Sequence, residues 1–453
     1  MYDKIWVGFT RIEAYITPNK GNFLRHSMVD TLAKLKSLSQ PIKVAIIGAG
    51  HTGNGLLYQC LITPGIECVA IADIILSKAV DACSALNCQY EIAEDPNSVQ
   101  DAIRRDGVAV CQNGEFLVQC EGIDVLIESS SSVGGGGHLA ATALENGIHV
   151  VMMNAEADLM FGPYLMHLAE QHSLVYTSCD GDQPGVMQRL VRDIRLWGFE
   201  LVMVGNIKGF LDRYANPTSI IPEADKRFLD YKMCTGYTDG TKLSVEMALM
   251  ANALDLVTDV PGMVGPRAKD MLDVFDLFDF DRLYETHGPV VDYVLGAKPY
   301  GGVFVVGRCD HPFQQKMMNY FPSQHGTGPY FIFNRPCHLC HIEAMQCVAE
   351  AFLEHEALLQ PTFGFKTNVY AYAKKDLQPG ERLDGIGGYL CYGLIENGDD
   401  NRQNSGIPIC LADDVTLKKG IAKDQKIHMD DIVYDPERLD FKLYQMAVEK
   451  SKN

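Results

Sequence analysis

Three groups of residues in this sequence have types and spacings that could do chemistry. The first is Gly48, Gly50 and Gly53, in G-x-G-x-x-G spacing directly after the apolar run Lys43-Val44-Ala45-Ile46-Ile47. A strand that ends in such glycines and opens a helix turns tightly and lets a pyrophosphate approach the backbone. It also offers free N–H groups, here those of His51 and Thr52, at the positive end of a helix dipole. A second apolar run, Glu67 to Ala72, ends in Asp73, about 20 residues after the last glycine, where dinucleotide-binding units hold a ribose 2′-hydroxyl. The plain alternative is a βαβ unit that uses glycine only for packing.

The second group is acidic. Asp180 and Asp182 flank Gly181 in a turn, and Glu156 follows an apolar run that ends at Met153. Two carboxylates in one turn can hold Mg²⁺ or Mn²⁺ against substrate oxygens. Aspartate is also favoured in turns for bonding its own backbone. The third group is basic. Lys208 ends an apolar run and Lys242 stands at the start of a helical pattern, three residues after Asp239, so that Asp239 and Lys242 could share one side of a first turn. A lysine near another cation and partly desolvated loses enough pKa to act as acid or base; otherwise each lysine is a surface charge. In Arg335-Pro336-Cys337-His338-Leu339-Cys340-His341, Arg335 and His338 stand at an expected helix start, where an anion such as a substrate phosphate can be held. Arg213 and Arg267 compete for that role. Cys337, Cys340, His338 and His341 have zinc-like spacing, but a second pair is missing, and cysteines three apart at a helix start pack inward more readily.

These side chains need a scaffold, and the hydrophobic pattern supplies one. Apolar runs at residues 43–47, 67–72, 124–129 and 149–153 alternate with helical patterns at about 56–60, 77–86, 98–105 and 138–146. Such alternation means a doubly wound parallel sheet, with ligands at the carboxyl ends of its strands. That rim carries Ser129 and Ser130, beside a glycine run at 134–137 read as a loop near the nicotinamide ribose, and it carries Asn154. The chain divides into an N-terminal helical arm (1–40), a nucleotide-binding domain (41–160), an α+β catalytic and oligomerisation domain (161–362), and a small β domain with its tail (363–453).

The chain has 453 residues, more than one ordinary core can serve. Its net charge of −19 and lack of a basic patch argue against a nucleic-acid partner. No apolar stretch reaches ~18 residues, so no membrane span is expected. The first residues carry no signal-peptide core, and the 14 cysteines form no small-domain framework; reduced thiols and a cytoplasmic location follow. The arm and the second domain suggest a homo-oligomer.

The nucleotide domain with Asn154-Ala155-Glu156 resembles the homoserine-dehydrogenase-like oxidoreductases. The phrase Lys374-Lys375-Asp376-Leu377-Gln378-Pro379-Gly380-Glu381, with Ala412-Asp413-Asp414-Val415 and Leu417-Lys418-Lys419-Gly420, resembles a SAF-type β-clip domain. Together they resemble the DXP-reductoisomerase-like (DRL) family, whose Gly-Asp-Gln-Pro-Gly phrase is matched by Gly181 to Gly185. The resemblance implies NAD(P)H, a divalent metal, and conversion of 1-deoxy-D-xylulose 5-phosphate to 2-C-methyl-D-erythritol 4-phosphate, a step in isoprenoid precursor synthesis. It implies a lysine that protonates the new alkoxide, with Asp239 and Lys242 corresponding to the aspartate and lysine of homoserine dehydrogenases at a spacing one residue shorter. A dehydrogenase of the homoserine type without skeletal rearrangement, and a cofactor-binding regulatory protein without turnover, are the other readings. Asp73 favours NAD by repelling a 2′-phosphate, whereas the reductoisomerase role favours NADPH.

Overall fold

The computed structural model describes residues 30–227, 229–320, 325–398 and 405–451. The expected N-terminal arm therefore lies mostly outside the described residues. What is described of it is a short helix, Thr31–Ser37, capped by the Asp30 carboxylate.

The first 150 or so described residues build a parallel sheet of seven strands: β1 (Ile42–Ile47), β2 (Ile66–Ala72), β3 (Tyr90–Ile92), β4 (Val108–Cys111), β5 (Val125–Glu128), β6 (His149–Met152) and β7 (Tyr176–Ser178). Their order is β3-β4-β2-β1-β5-β6-β7. Every residue of β4, β5 and β6 is buried, because helices cover both faces and leave no polar side. Strand order reverses at β1, which pairs with β2 on one side and β5 on the other, so the ligand crevice opens beyond Ile47 and Glu128.

The glycine run at 134–137 is not a loop. It forms the first turns of the helix Val133–Glu145, with Ser132 as N-cap. The glycines are there for packing. A Cβ on Gly137 would sit 2.2 Å from the Phe161 ring, and one on Gly136 would sit 2.7 Å from the Glu128 carboxylate. This carboxylate ends β5 fully buried. Its Oε1 accepts from Ser130 N–H at 3.0 Å, while its Oε2 has no partner.

A second sheet has the order β11-β10-β8-β9, from β8 (Glu200–Lys208), β9 (Val290–Leu295), β10 (Val303–Arg308) and β11 (Tyr330–Arg335). The pair β8 and β9 is parallel and the other pairs are antiparallel. The helix Gln183–Leu196 lies on β8 and β10. The helix Thr241–Leu254 is buried at every residue except Lys242, and it is apolar nearly all round as such a position demands.

The C-terminal part contains β12 (Thr367–Ala373), β13 (Arg382–Asp384), β14 (Cys391–Asn397), β15 (Asp413–Leu417) and β16 (Ile432–Val433), in a β12–β14 pair and a β13-β15-β16 sheet. Single bridges join them, among them Tyr372 with Lys426 and Leu377 with Ile421. The segments 407–412 and 421–427 contribute only such bridges and a 3-10 turn at Ile409–Leu411. This β region is packed against the rest: β12 and β14 seat the helix Thr241–Leu254, and a final helix, Leu439–Lys450, lies on Val133–Glu145 and Ala155–His172. All 14 cysteines are free, and all but Cys88, Cys337 and Cys340 are buried. No helix among the described residues is long and apolar enough to cross a membrane.

The β region grips the preceding part of the chain through a buried ion pair. Lys374 Nζ lies 2.9 Å from Asp239 Oδ2 and donates to the carbonyls of Ala215 and Gly388 at 2.7 and 2.8 Å. Removing one member of such a pair strands the other charge, so Lys374→Met should cost about 3–5 kcal/mol in denaturant unfolding. Adding Asp239→Asn should restore a large part of that loss. Glu128 offers a second test. Burial raises its pKa from 4.5 to about 7, against the opposing hydrogen bond from the Ser130 N–H. The folded chain then binds more protons than the unfolded chain between about pH 4.5 and 7, so stability falls as pH rises through that window. Asp158 and Asp292, each raised to about 6 chiefly by burial, add the same sign over a narrower window. Glu128→Gln should flatten the fall in Tm between pH 4.5 and 7; an unchanged profile would remove Glu128 from the explanation.

Candidate active site

The cofactor edge begins at the glycine turn. Gly48 has φ +93°, and a Cβ there would meet the Ser129 and Ser130 backbone at 2.8–2.9 Å. A Cβ on Gly53 would lie 1.8 Å from the Gly48 carbonyl oxygen, whereas around Gly50 there is open space within 4 Å. The turn is thus closed on its protein side and open on its outer side, as an approaching pyrophosphate requires. The helix His51–Ile62 starts at Gly50 with no side-chain cap, which leaves its first N–H groups, including those of His51 and Thr52, without a capping side chain. Asp73 stands at the carboxyl end of β2, where its carboxylate accepts from Ala49 N–H and Ile75 N–H, both at 2.8 Å. It braces the turn and presents negative charge beside it.

The other rim residues are used locally. Ser129 Oγ donates to the carbonyls of Ile47 and Gly48 at 2.8 and 3.2 Å, stapling β5 to the turn. Ser130 Oγ accepts from Ser132 N–H at 3.3 Å. Asn154 caps the helix Ala155–His172 and donates to the Ser132 carbonyl at 3.0 Å.

Among the contacts between the following region and this rim is an ion pair. Lys242 Nζ lies 3.5 Å from Glu156 Oε1, two residues beyond Asn154. Burial alone would lower the Lys242 pKa, but Glu156, Asp182 and Glu246 outweigh it and hold the ammonium well above its ordinary value. This reverses the expected direction, since carboxylates and not another cation dominate its surroundings. Lys208, at the end of β8, pairs with Glu246 at 3.7 Å, and Asn206 Nδ2 donates to the same carboxylate at 3.4 Å. Burial raises Glu246 above the usual carboxylate range, partly offset by Lys208. Below Asp182 lies a small cavity lined by Asp158, Ser178, Cys179 and Leu249. Asp158 accepts from Ser178 Oγ at 2.5 Å and from the Tyr176 hydroxyl.

Asp239 and Lys242 do not share a turn. Asp239 ends the preceding helix, Tyr231–Thr238, Gly240 intervenes at φ +88°, and Asp239 bonds Lys374 and the N–H of Thr241. Asp180 turns away from the lysines. Arg189 holds it at 2.9 Å while also making a bidentate pair with Glu350, both bonds 2.8 Å. The three carboxylates expected to hold a metal therefore diverge, with Asp180 on Arg189, Glu156 on Lys242, and Asp182 facing the loop at 338–340. That loop comes close because Gly181, at φ +81°, lies against the carbonyls of Leu339 and Cys340, where a Cβ would be 2.6–2.7 Å away.

The helix expected to open at Pro336 begins at Cys340. Arg335 is occupied by a bidentate pair with Glu343, at 2.7 and 2.8 Å, and Glu343 also accepts from Leu339 N–H. Arg213 is exposed and stacks 5.3 Å from the Tyr392 ring centroid, and Arg267 is exposed beside β9. Of the four Cys and His residues in the 337–341 segment, only His338 and Cys340 come together. Cys337 is exposed, and His341 packs on Gly55 and His51. Sequence reasoning missed Glu246, Asn206 and Gln183. Glu246 was within reach, since it stands four residues from Lys242 on one helix face.

Residues 181–344 match a family model described as oxidoreductase DRL, catalytic domain. No curated protein matches this chain. Among solved structures, the chain is similar to a biliverdin reductase from Synechocystis sp. PCC 6803, at 15% identity over 39% of this chain and 49% of that one, with a TM-score of 0.29. A scyllo-inositol dehydrogenase from Lactobacillus casei matches at 17% identity over 41% and 50%, TM-score 0.27. The UDP-N-acetylglucosamine 3-dehydrogenase GnnA from Acidithiobacillus ferrooxidans matches at 10% identity over 70% and 91%, TM-score 0.39. The chain spans about half the length of the first two solved structures it matches. The match to the DRL oxidoreductase catalytic domain is confined to residues 181–344.

Proposed function

We propose that the protein is an NAD(P)H-dependent oxidoreductase that reduces a small, phosphorylated keto-sugar or aldehyde to an alcohol. The observation that carries this reading is the Lys242–Glu156 contact, which sets a largely buried, charged ammonium at the carboxyl edge of the nucleotide-binding sheet. A bound nicotinamide would supply the hydride there. The rest is the work of the chain. Gly48, Gly50 and Gly53 with the His51 and Thr52 amides receive the pyrophosphate, and Asp73 receives the adenosine ribose. A carboxylate at that point favours a free 2′-hydroxyl, which supports NADH over NADPH. Lys242 donates a proton to the oxygen that becomes alkoxide, and its raised pKa suits an acid that must arrive protonated. Lys208, tied to Glu246 and Asn206, positions the second oxygen of the substrate.

Reductoisomerase chemistry on 1-deoxy-D-xylulose 5-phosphate is the specific reaction that the resemblance supports. A divalent metal would then hold two neighbouring substrate oxygens. Asp182 is the one expected ligand whose carboxylate is not committed to a basic side chain.

The test is anaerobic turnover of NADH and NADPH with 1-deoxy-D-xylulose 5-phosphate, in the presence and absence of Mg²⁺, Mn²⁺ and Zn²⁺, with identification of the product. A branched polyol phosphate is expected, with NADH preferred. Lys242→Met should lower kcat by about 10²–10⁴-fold while leaving nucleotide affinity nearly unchanged. Tight nucleotide binding with no oxidation across a panel of keto-sugar phosphates would overturn the reading. Reduction without a change of carbon skeleton would keep the oxidoreductase and remove the isomerase.

A further inference from the structure

We infer that Asp182, His338 and Cys340 form a metal site for a borderline cation such as Zn²⁺, Co²⁺ or Fe²⁺, and not for Mg²⁺. One ligand atom from each lies within 4.8 Å of the others, and among the described residues this is the one such trio of His, Cys, Asp or Glu. Cys340 Sγ stands 3.9 Å from Asp182 Oδ1 and 3.7 Å from His338 Nδ1. Metal–ligand bonds of about 2.0–2.3 Å at tetrahedral angles put ligand atoms roughly 3.3–3.8 Å apart, so these edges need to close only slightly. Three protein ligands and one open position is the arrangement of a catalytic zinc site, whereas Mg²⁺ asks for an octahedron of oxygens. A thiol and an imidazole in the trio select the softer ion.

A second observation points the same way. Gln183 is 7% exposed, with its Nε2 3.2 Å from His338 Nε2 and its Oε1 without any partner. Exchanging the amide oxygen and nitrogen brings an acceptor to His338 Nε2. His338 Nε2–H then donates to Gln183 Oε1, and the Nδ1 lone pair turns to Asp182 and Cys340. This is the outer-shell bond that fixes the tautomer of a metal-bound histidine. His338 Nδ1 also stands 3.3 Å from the Gly181 carbonyl, so the neutral metal-free ring can donate there; on binding, that proton passes to Nε2 and the Nδ1 lone pair takes the cation. Binding releases the Cys340 thiol proton to solvent. The charge around the trio admits a cation, because Glu156, Glu246 and Asp182 face Lys242 and Lys208.

The inference deepens the reading of the same site, and its test uses neither nucleotide nor substrate, so each can fail while the other stands. The full-length protein is stripped with a chelator and titrated with Co²⁺ by absorption spectroscopy. One equivalent should produce the visible bands of tetrahedral cobalt and a thiolate-to-cobalt charge-transfer band in the near ultraviolet. Zn²⁺ should abolish both, and a hundredfold excess of Mg²⁺ should not. Cys340→Ser should remove the near-ultraviolet band, Cys337→Ser should retain it, and Gln183→Leu should weaken Co²⁺ affinity by about 10–100-fold. The wild-type titration stands even if a variant does not fold. Absence of the charge-transfer band, its survival in Cys340→Ser, or displacement of Co²⁺ by Mg²⁺ would overturn the assignment.

Discussion

A buried ammonium must be neutralised where it stands, and this requirement organises the molecule. Lys242 is the one residue of the helix Thr241–Leu254 that is not fully buried, and its counter-charges come from three separate elements. Glu156 comes from the rim of the nucleotide sheet, Asp182 from the turn after β7, and Glu246 from its own helix. Isolated burial of a lysine costs several kcal/mol or drives it neutral. A carboxylate from each element prevents both outcomes, so docking the two halves of the chain and charging the site are one event.

The helix that carries Lys242 is also fixed from behind. Asp239 Oδ1 accepts from the Thr241 N–H, Thr241 Oγ1 accepts from Gly393 N–H at 2.8 Å, and Ser244 Oγ donates to the Gly393 carbonyl at 3.2 Å. Gly393 lies in β14 and Lys374 follows β12, so the C-terminal strands form the bed of the helix that carries Lys242. A site built on a helix locked in this way keeps its geometry better than one built on a loop.

What the sequence made legible follows from the range of each interaction. The parallel sheet, its glycine turn and Asp73 are written in short-range periodicity and spacing, and they appear at the expected positions. The glycine run at 134–137 read as a loop because its reason, the Phe161 ring, is more than 20 residues away in sequence and visible only in three dimensions. The supposed Asp239–Lys242 pair assumed one continuous helix across Gly240, where the backbone instead turns at positive φ. Arg335 looked available because nothing local announced its fork on Glu343, and Asp182 meets His338 and Cys340 only through a tertiary approach enabled by Gly181. Local rules recovered the scaffold, and long-range contacts decided which side chains converge.

Four consecutive glycines at the start of the helix Val133–Glu145 have one more consequence. Relative to alanine they forgo roughly 1 kcal/mol of helix propensity each, about 4 kcal/mol together. This backbone is helical because Phe161, Glu128 and the C-terminal helix press on it, not because its own sequence prefers the state. The two walls of the nucleotide crevice thus differ in kind. The helix at His51 has leucine, tyrosine and glutamine to sustain it, whereas the wall beyond β5 borrows its order from neighbours. Local unfolding free energy is lowest where a segment contributes least to its own stability. The crevice has a self-supporting side and a dependent side.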